Sequence, residues 1–283
     1  MYEFYVQNEY GQMLKLSEKI QEYSIISIEG LAPPNAQIYE MKNSQKDGNI
    51  DNGASLDDRV IVVTFAINGP AEDNRLELYK YFIIKRMHRL FFKNGRRNVY
   101  IDGRMESFSI GLFEEKEIAQ ATFRCSDPYF KDFVEIDADL SVIQKLFEFP
   151  FMIEEPIPFS EIRIGDGQLL INYGDVETGM TIKMYAVRGT VINPAIYHVE
   201  TGEIIKLNTV MQEGDEIDIC TVYMKKKIIR IRDGVETNLI DSFTYDSEWL
   251  QLQPGGNTMI VNAEVGAMNL DVYIDVNVLY QGV

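Results

Sequence analysis

Forty-four carboxylates, two histidines (His88 and His198) and two cysteines (Cys125 and Cys220) are the groups in this 283-residue chain that could do chemistry. Paired carboxylates could cleave a glycosidic bond, but a chain with 44 of them supplies such pairs by chance, and solvated faces are their ordinary use. His88 lies in a basic stretch and His198 beside the turn Val199-Glu-Thr-Gly202. Neither is accompanied by a Gly-X-Ser-X-Gly elbow or a reactive-cysteine context, so no nucleophilic triad is expected. Both cysteines sit within strand-like runs, where a free thiol serves as a small buried hydrophobe. One copy of the chain cannot assemble a zinc site from this inventory. The Asp47–Asp51 segment lacks the twelve-residue spacing and closing glutamate of a calcium loop, and Asp166-Gly167 and Gly255-Gly256 are isolated turns, not phosphate loops. The expectation is therefore no catalytic, cofactor-binding or metal-ligating residue, no cofactor, and no enzyme.

Charge narrows the partners. With 27 basic and 44 acidic residues the net charge is −17, which disfavours nucleic acid as a ligand because phosphate neutralisation needs excess Lys and Arg. The deficit is uneven: residues 1–135 carry 17 basic and 21 acidic groups, residues 136–283 carry 10 and 23. The second half should repel its own kind. The densest cationic run is Lys80, Lys85, Arg86, Arg89, Lys93, Arg96 and Arg97, with no acid among them. It reads either as a helix end and solvated face or as a contact surface for an acidic neighbour, including another copy of the chain with its acidic Asp47–Asp58 segment. Lys225-Lys226-Lys227 reads as an exposed hairpin tip.

The elements that must position these groups are mostly strands. A chain of this length calls for two cores, and no run reaches the roughly 18 apolar residues of a membrane span. The start, Met1-Tyr-Glu-Phe4, lacks the pattern of a signal peptide, so synthesis in a reducing cytoplasm is expected. Arg59–Ile67 is dense in β-branched residues and predicts a strand. Asp47–Gly53 predicts an exposed loop. Leu76, Tyr79, Ile83, Met87 and Leu90 recur at three- and four-residue steps and predict one helix over Glu72–Phe92. Val99–Ile101 and Ser107–Leu112 predict two strands turning at Asp102-Gly103, and Ile118–Cys125 another, stopped by Ser126-Asp-Pro128. Pro150, Pro156 and Pro158 mark a junction, with a short helix around Leu140–Phe147. Beyond it, Ile182–Ile192 predicts a strand leading into Asn193-Pro194. The ladder from Met268 to Tyr280 alternates apolar and polar residues, as in a strand with one wet face. Many short strands with regular turns predict an antiparallel sandwich. Trp249, the only tryptophan, reads as a packed core aromatic in preference to a sugar-stacking platform.

Asn193-Pro194, the run Thr201-Gly-Glu-Ile-Ile-Lys-Leu207, Glu213-Gly-Asp215 and Trp249-Leu-Gln-Leu-Gln-Pro-Gly-Gly-Asn257 follow one another in the order found in the phage distal tail protein family, which the chain resembles. The first half fits too: Asp47-Gly48 precedes Arg59, an apolar strand and a helix, and Phe123-Arg-Cys-Ser-Asp-Pro-Tyr-Phe130 resembles the close of the family's N-terminal domain. The resemblance implies a mainly β fold in two domains: a tail-tube-like β-barrel or sandwich with one α-helix over 1–135, and a galectin-like antiparallel β-sandwich over 159–283, joined by a linker over 136–158. It implies a virion component at the distal end of a siphophage tail. Six copies would form a ring that joins the tail tube protein to the tail-associated tip protein, with outward domains that hold receptor-binding or other baseplate proteins. The alternative is a carbohydrate-binding accessory module for host attachment that uses the C-terminal sandwich. That half lacks a galectin's sugar-binding arrangement of His, Asn, Arg, Trp and Glu, and fold alone does not carry function.

Overall fold

The computed structural model describes residues 2–16, 22–42, 47–111, 117–141, 143–145, 160–162 and 167–283. The chain forms two compact units, one of Met1–Phe133 with Leu279–Val283, the other of Val134–Val278.

The first unit contains β1 (Glu3–Asn8), β2 (Met13–Leu16), β3 (Tyr23–Glu29), β4 (Ala36–Lys42), β5 (Asn49–Leu56), β6 (Arg59–Ile67), α1 (Ala71–Tyr81), β7 (Met87–Lys93), β8 (Asn98–Ile110), β9 (Ile118–Cys125) and the start of β10 (Phe130–Asp139). Its main sheet is antiparallel in the order β2-β1-β7-β8-β9-β6-β3, and the end strands β2 and β3 come back beside each other, as in a barrel. Strict alternation explains the core. In β6 every second residue from Arg59 to Ile67 is buried, and Leu90, Phe92, Val99, Ile101, Ala121 and Phe123 continue the same inner face.

The end of the expected helix, from Met87, is a strand. α1 has Glu72 and Asp73 in its first turn and Lys80 in its last, which complements its dipole. It buries Asn74 and Leu78, with Phe82 just beyond, whereas Leu76 and Tyr79 are nearly half exposed. The chain then turns through Lys85 at φ 71°, whose N–H is donated to Met105 O. From Met87 the burial alternates, with His88, Leu90 and Phe92 inward. Leu90 fits both periods, which is why the sequence pattern ran on. The expected turn at Asp102-Gly103 is likewise absent, because β8 runs straight through it. Gly103 is there for close approach: a Cβ would lie 2.8 Å from Cys125 Sγ.

β4 and β5 form a separate two-stranded sheet in which every residue but the partly buried Leu56 is exposed. The expected loop over Asp47–Gly53 is therefore a bend at Asp47-Gly48 followed by the first residues of β5.

The second unit continues β10 and adds β11 (Ile143–Lys145), β12 (Ser160–Ile162), β13 (Gln168–Asn172), β14 (Thr181–Ala186), β15 (Val191–His198), β16 (Ile204–Lys206), β17 (Val210–Met211), β18 (Glu216–Cys220), β19 (Lys227–Arg232), β20 (Val235–Asn238), β21 (Gly255–Val265) and β22 (Leu270–Tyr280). One antiparallel sheet runs β22-β14-β18-β19-β20 and the other β13-β21-β15-β16, with β17 also on β15. Their inner faces share a core that includes Ile182 and Ile274 of the first sheet and Ile196, Ile205 and Val261 of the second, the construction of a β-sandwich. The expected strand Ile182–Ile192 is two strands in different sheets, separated at Gly189, whose φ is 133°. Asn193-Pro194 lies inside β15, where Asn193 adopts φ 52° and exchanges hydrogen bonds with Thr209.

At the expected linker, Ile136–Asp139 belong to β10, and Ile143–Lys145 pair with β12 where a helix was expected. Pro150, Pro156 and Pro158 lie outside the described residues. The final residues also differ from expectation, since Leu279–Val283 group with the first unit.

Candidate assembly surfaces

The feature that closes the first unit is Arg59. Its side chain is buried, and its guanidinium donates to four backbone carbonyls: Pro128 O through Nε (2.7 Å), Gly30 O (2.6 Å) and Ala32 O (2.7 Å) through Nη1, and Gln281 O (2.5 Å) through Nη2. The cation also lies 4.6 Å from the centre of the Phe130 ring. One planar fork thus ties β6 to the segment after β3, the break before β10 and the chain's end. Arg97 makes a second clasp, donating to Gly282 O and lying over the Tyr280 ring.

The seven cations of the Lys80–Arg97 stretch do not share a helix face. Arg86 pairs with Glu9 (3.4 Å), Arg89 grips both oxygens of Asp102 (2.6 and 3.0 Å) and covers the Tyr100 ring, and Arg97 is committed to the C-terminal tail. Lys80, Lys93 and Arg96 form no ion pair among the described residues. Lys93 and Arg96 flank the β7–β8 turn, where Lys93 lines a groove of about 350 Å³ and Arg96 an adjoining one of about 340 Å³.

The candidate nucleophiles and bases are all enclosed. Burial pushes the Cys125 thiol up to about 12, out of the reactive range at neutral pH, and Cys220 is buried too. His88 is packed among Tyr81, Phe82 and Phe123, its ring nitrogens 3.2 Å from Arg86 O and 3.3 Å from Tyr81 O. Burial holds its imidazole below the ordinary 6.5. The unfolded chain therefore binds a proton that the folded chain refuses, so stability is full above pH 6.5 and falls as the pH drops below it. A His88→Phe variant should show a flatter loss of urea stability between pH 7.5 and 5, by up to about 1.4 kcal/mol per pH unit. An unchanged slope would place the titrating group elsewhere.

In the second unit the quoted motifs converge. His198 is buried, with Nδ1 2.6 Å from Thr201 Oγ1 and Nε2 3.0 Å from Asn257 Oδ1. Asn257 also receives the Gln253 N–H and donates to Gln253 O and Gly255 O, which fixes the turn into β21. The Thr201–Leu207 and Trp249–Asn257 runs thus form one hydrogen-bonded corner. Asp215 of the third motif is buried and grips Arg232 through both oxygens (2.7 and 2.5 Å). Trp249 stacks on Phe243 with ring centres 4.8 Å apart, and Lys226 Nζ lies 5.4 Å from its ring centre. The tryptophan packs as expected. These motifs hold the sandwich together. Among the described residues no group of three or more His, Cys, Asp or Glu is arranged to hold a metal ion, and no helix is long and apolar enough to cross a membrane.

Residues 173–273 match the model of the siphovirus-type tail component, C-terminal domain. In fold, the chain is similar to the SPP1 Dit protein (gp 19.1), described as a paradigm of the hub adsorption apparatus in phages that infect Gram-positive hosts. The TM-score is 0.70 at 13% identity, covering 98% of each chain. The phage p2 baseplate in its activated conformation with strontium is a more distant likeness, with a TM-score of 0.50 at 9% identity and 98% of each chain covered. No curated protein matches in sequence. Over residues 173–273, then, the chain matches the siphovirus-type tail component family model, and as a whole it shares the two-unit β fold of the SPP1 Dit protein.

Proposed function

We propose that this protein is the structural hub at the distal end of a siphophage tail. In this reading six copies close a ring through their first units. The ring joins the tail tube protein on one side to the tail-associated tip protein on the other, and the second units anchor receptor-binding or other baseplate proteins at the periphery. The chain acts in the virion after synthesis in the host cytoplasm, and it performs no catalysis. The observation that carries the reading is the agreement of two comparisons: a tail-component family over 173–273 and the hub protein's fold over 98% of the chain.

Electrostatics supports the division of labour. Most of the negative charge belongs to the second half. A ring requires two different complementary patches on each copy, and the first unit is closer to charge balance. Trp249 gives the carbohydrate-binding alternative no support, because its ring is stacked on Phe243.

The test is light scattering and negative-stain imaging of the full chain at low and high salt. The expected particle is a ring of six times the monomer mass, weakened by salt where exposed charges contribute. A monomer at every concentration and salt would remove the ring. A fragment ending at 135 is a poor substitute, since it lacks the Gln281 carbonyl that Arg59 holds.

A further inference from the structure

We propose that Leu279–Val283 is a strap that completes the first unit: until these residues seat, the unit is unfinished and does not associate with other copies, so assembly waits for the second half of the chain to be made. The consequence for assembly rests on the ring reading above; the strap itself does not. These five residues group with Met1–Phe133, although the whole of Val134–Val278 separates them in sequence. Four in succession are held there. Tyr280 donates its hydroxyl to Asp132 Oδ2 at 2.9 Å, and its ring lies 4.2 Å beneath the Arg97 guanidinium. Gln281 O accepts from Arg59 Nη2, and Gly282 O accepts from Arg97. Val283 donates its N–H to Leu31 O at 3.2 Å.

Loss of the strap reaches the interior of the unit through Arg59. That side chain is buried, and Gln281 O is the acceptor its Nη2 uses, while Nε and Nη1 hold Pro128 O, Gly30 O and Ala32 O. A buried charged donor deprived of its acceptor is costly, and the same fork fixes the segment after β3. The strap also lies flat on that segment: a Cβ at Gly282 would be 3.1 Å from Leu31 O and 3.3 Å from Pro33 Cδ. Three of the four contacts use the strap's main chain, so seating depends on close approach more than on side chains. Timing gives the arrangement its consequence. Domains made first ordinarily fold as soon as they emerge, but at about 5–20 residues per second the second unit takes on the order of 10 s to make. Through that interval Arg59 waits for its fourth carbonyl. A first unit held incomplete in this way is not built into a ring while its own second unit is missing.

Full-length Gly282→Ala and Gly282→Val test this, because they crowd Leu31 O and Pro33 while leaving both arginines in place. Hydrogen exchange at the Val283 and β6 amides should quicken in the order Gly, Ala, Val. For valine the increase should be roughly 10- to 100-fold, the worth of one charged hydrogen bond. Light scattering should show the parent as a ring and the valine variant as monomers in the same buffer. Trp249 fluorescence should keep its unfolding midpoint, which shows that the second unit is folded. Faster exchange at Val283 with β6 unchanged would make the strap a passive tail and overturn the proposal. Faster exchange at both, with the valine variant still in rings, would overturn the link to assembly. If the parent is itself a monomer, the ring reading fails and the assembly role falls with it, while the exchange series still decides whether the strap completes the unit.

Discussion

Replacing Arg59 with methionine should cost the first unit about 4 kcal/mol, the largest single-residue effect in that unit. A hydrogen bond from a charged donor is worth about 1.5–3 kcal/mol net, and Arg59 makes four, all to carbonyls of segments distant in sequence. Methionine fills much of the volume but leaves those carbonyls without a donor, and breaking a buried charged network costs roughly 3–5 kcal/mol. Against a typical domain stability of about 5–15 kcal/mol, that is a large share. Burial lowers the guanidinium's pKa from its ordinary value, yet an arginine stays charged across the working range, so the loss should not vary between pH 5 and 8. Lysine should restore less than half, because an ammonium cannot present a planar fork to separate carbonyls. Hydrogen exchange provides the measurement: amides of β6 and β9 should lose protection by about three orders of magnitude, while Trp249 fluorescence keeps its unfolding midpoint. Protection within a factor of ten of the parent would show that water replaces the fork.

None of this network was legible in the sequence. Arg59 opens a strand that composition identifies readily, and its inward orientation follows from alternation with Ile61, Val63 and Phe65. Its partners, however, lie from 27 to 222 residues away, and no local pattern encodes them. The same limit explains the other differences. Strands with period-two alternation, such as Arg59–Ile67 and the ladder ending at Tyr280, are visible because the pattern is local. The Leu76–Leu90 spacing is also local, but it extends a true helix into β7 because Leu90 satisfies both periods. Only the turn at Lys85, held by Met105 O, separates them. Assigning β14 and β15 to different sheets likewise depends on pairings with β22 and β21, 61 to 94 residues on. The basic stretch was visible as composition. That Arg86 and Arg89 are already paired, to Glu9 and Asp102, was not.

The exposed hairpin shows the opposite case, a feature the sequence under-reads because its residues look ordinary. Ile38, Tyr39, Met41 and Ile50 would pass for core positions of a small sheet, and their flanking Asp47–Gly53 turn residues draw attention to a loop instead. Their exposure in the folded unit is what no local pattern encodes.

In the second unit the corresponding expectation concerns Asp215. Replacing it with asparagine should cost about 3 kcal/mol at neutral pH, read directly by Trp249 fluorescence as the unit unfolds in urea. The carboxylate is buried, accepts the Gln212 N–H at 2.7 Å and binds both nitrogens of the Arg232 fork, so an amide breaks a bidentate charged pair and opposes N–H to N–H. The hydrogen bonds from Arg232, ahead of the Gln212 amide and the charge of Arg230, hold the carboxyl below its ordinary 3.8. A depressed folded pKa stabilises above the unfolded value and is lost as the pH falls through the folded one. The gap between parent and variant should therefore be constant from pH 5 to 8 and should begin to narrow below about pH 3.8, where the unfolded carboxyl protonates before the folded one does. A second replacement, Arg232→Met, should cost much less in the Asp215→Asn background than in the parent, because the two act as one contact with a coupling energy of about 1.5 kcal/mol or more. Independent, additive losses, or a gap that does not narrow at all as the pH falls below 3.8, would mean that Asp215 acts through packing of the Glu213–Asp215 turn and not through its charge.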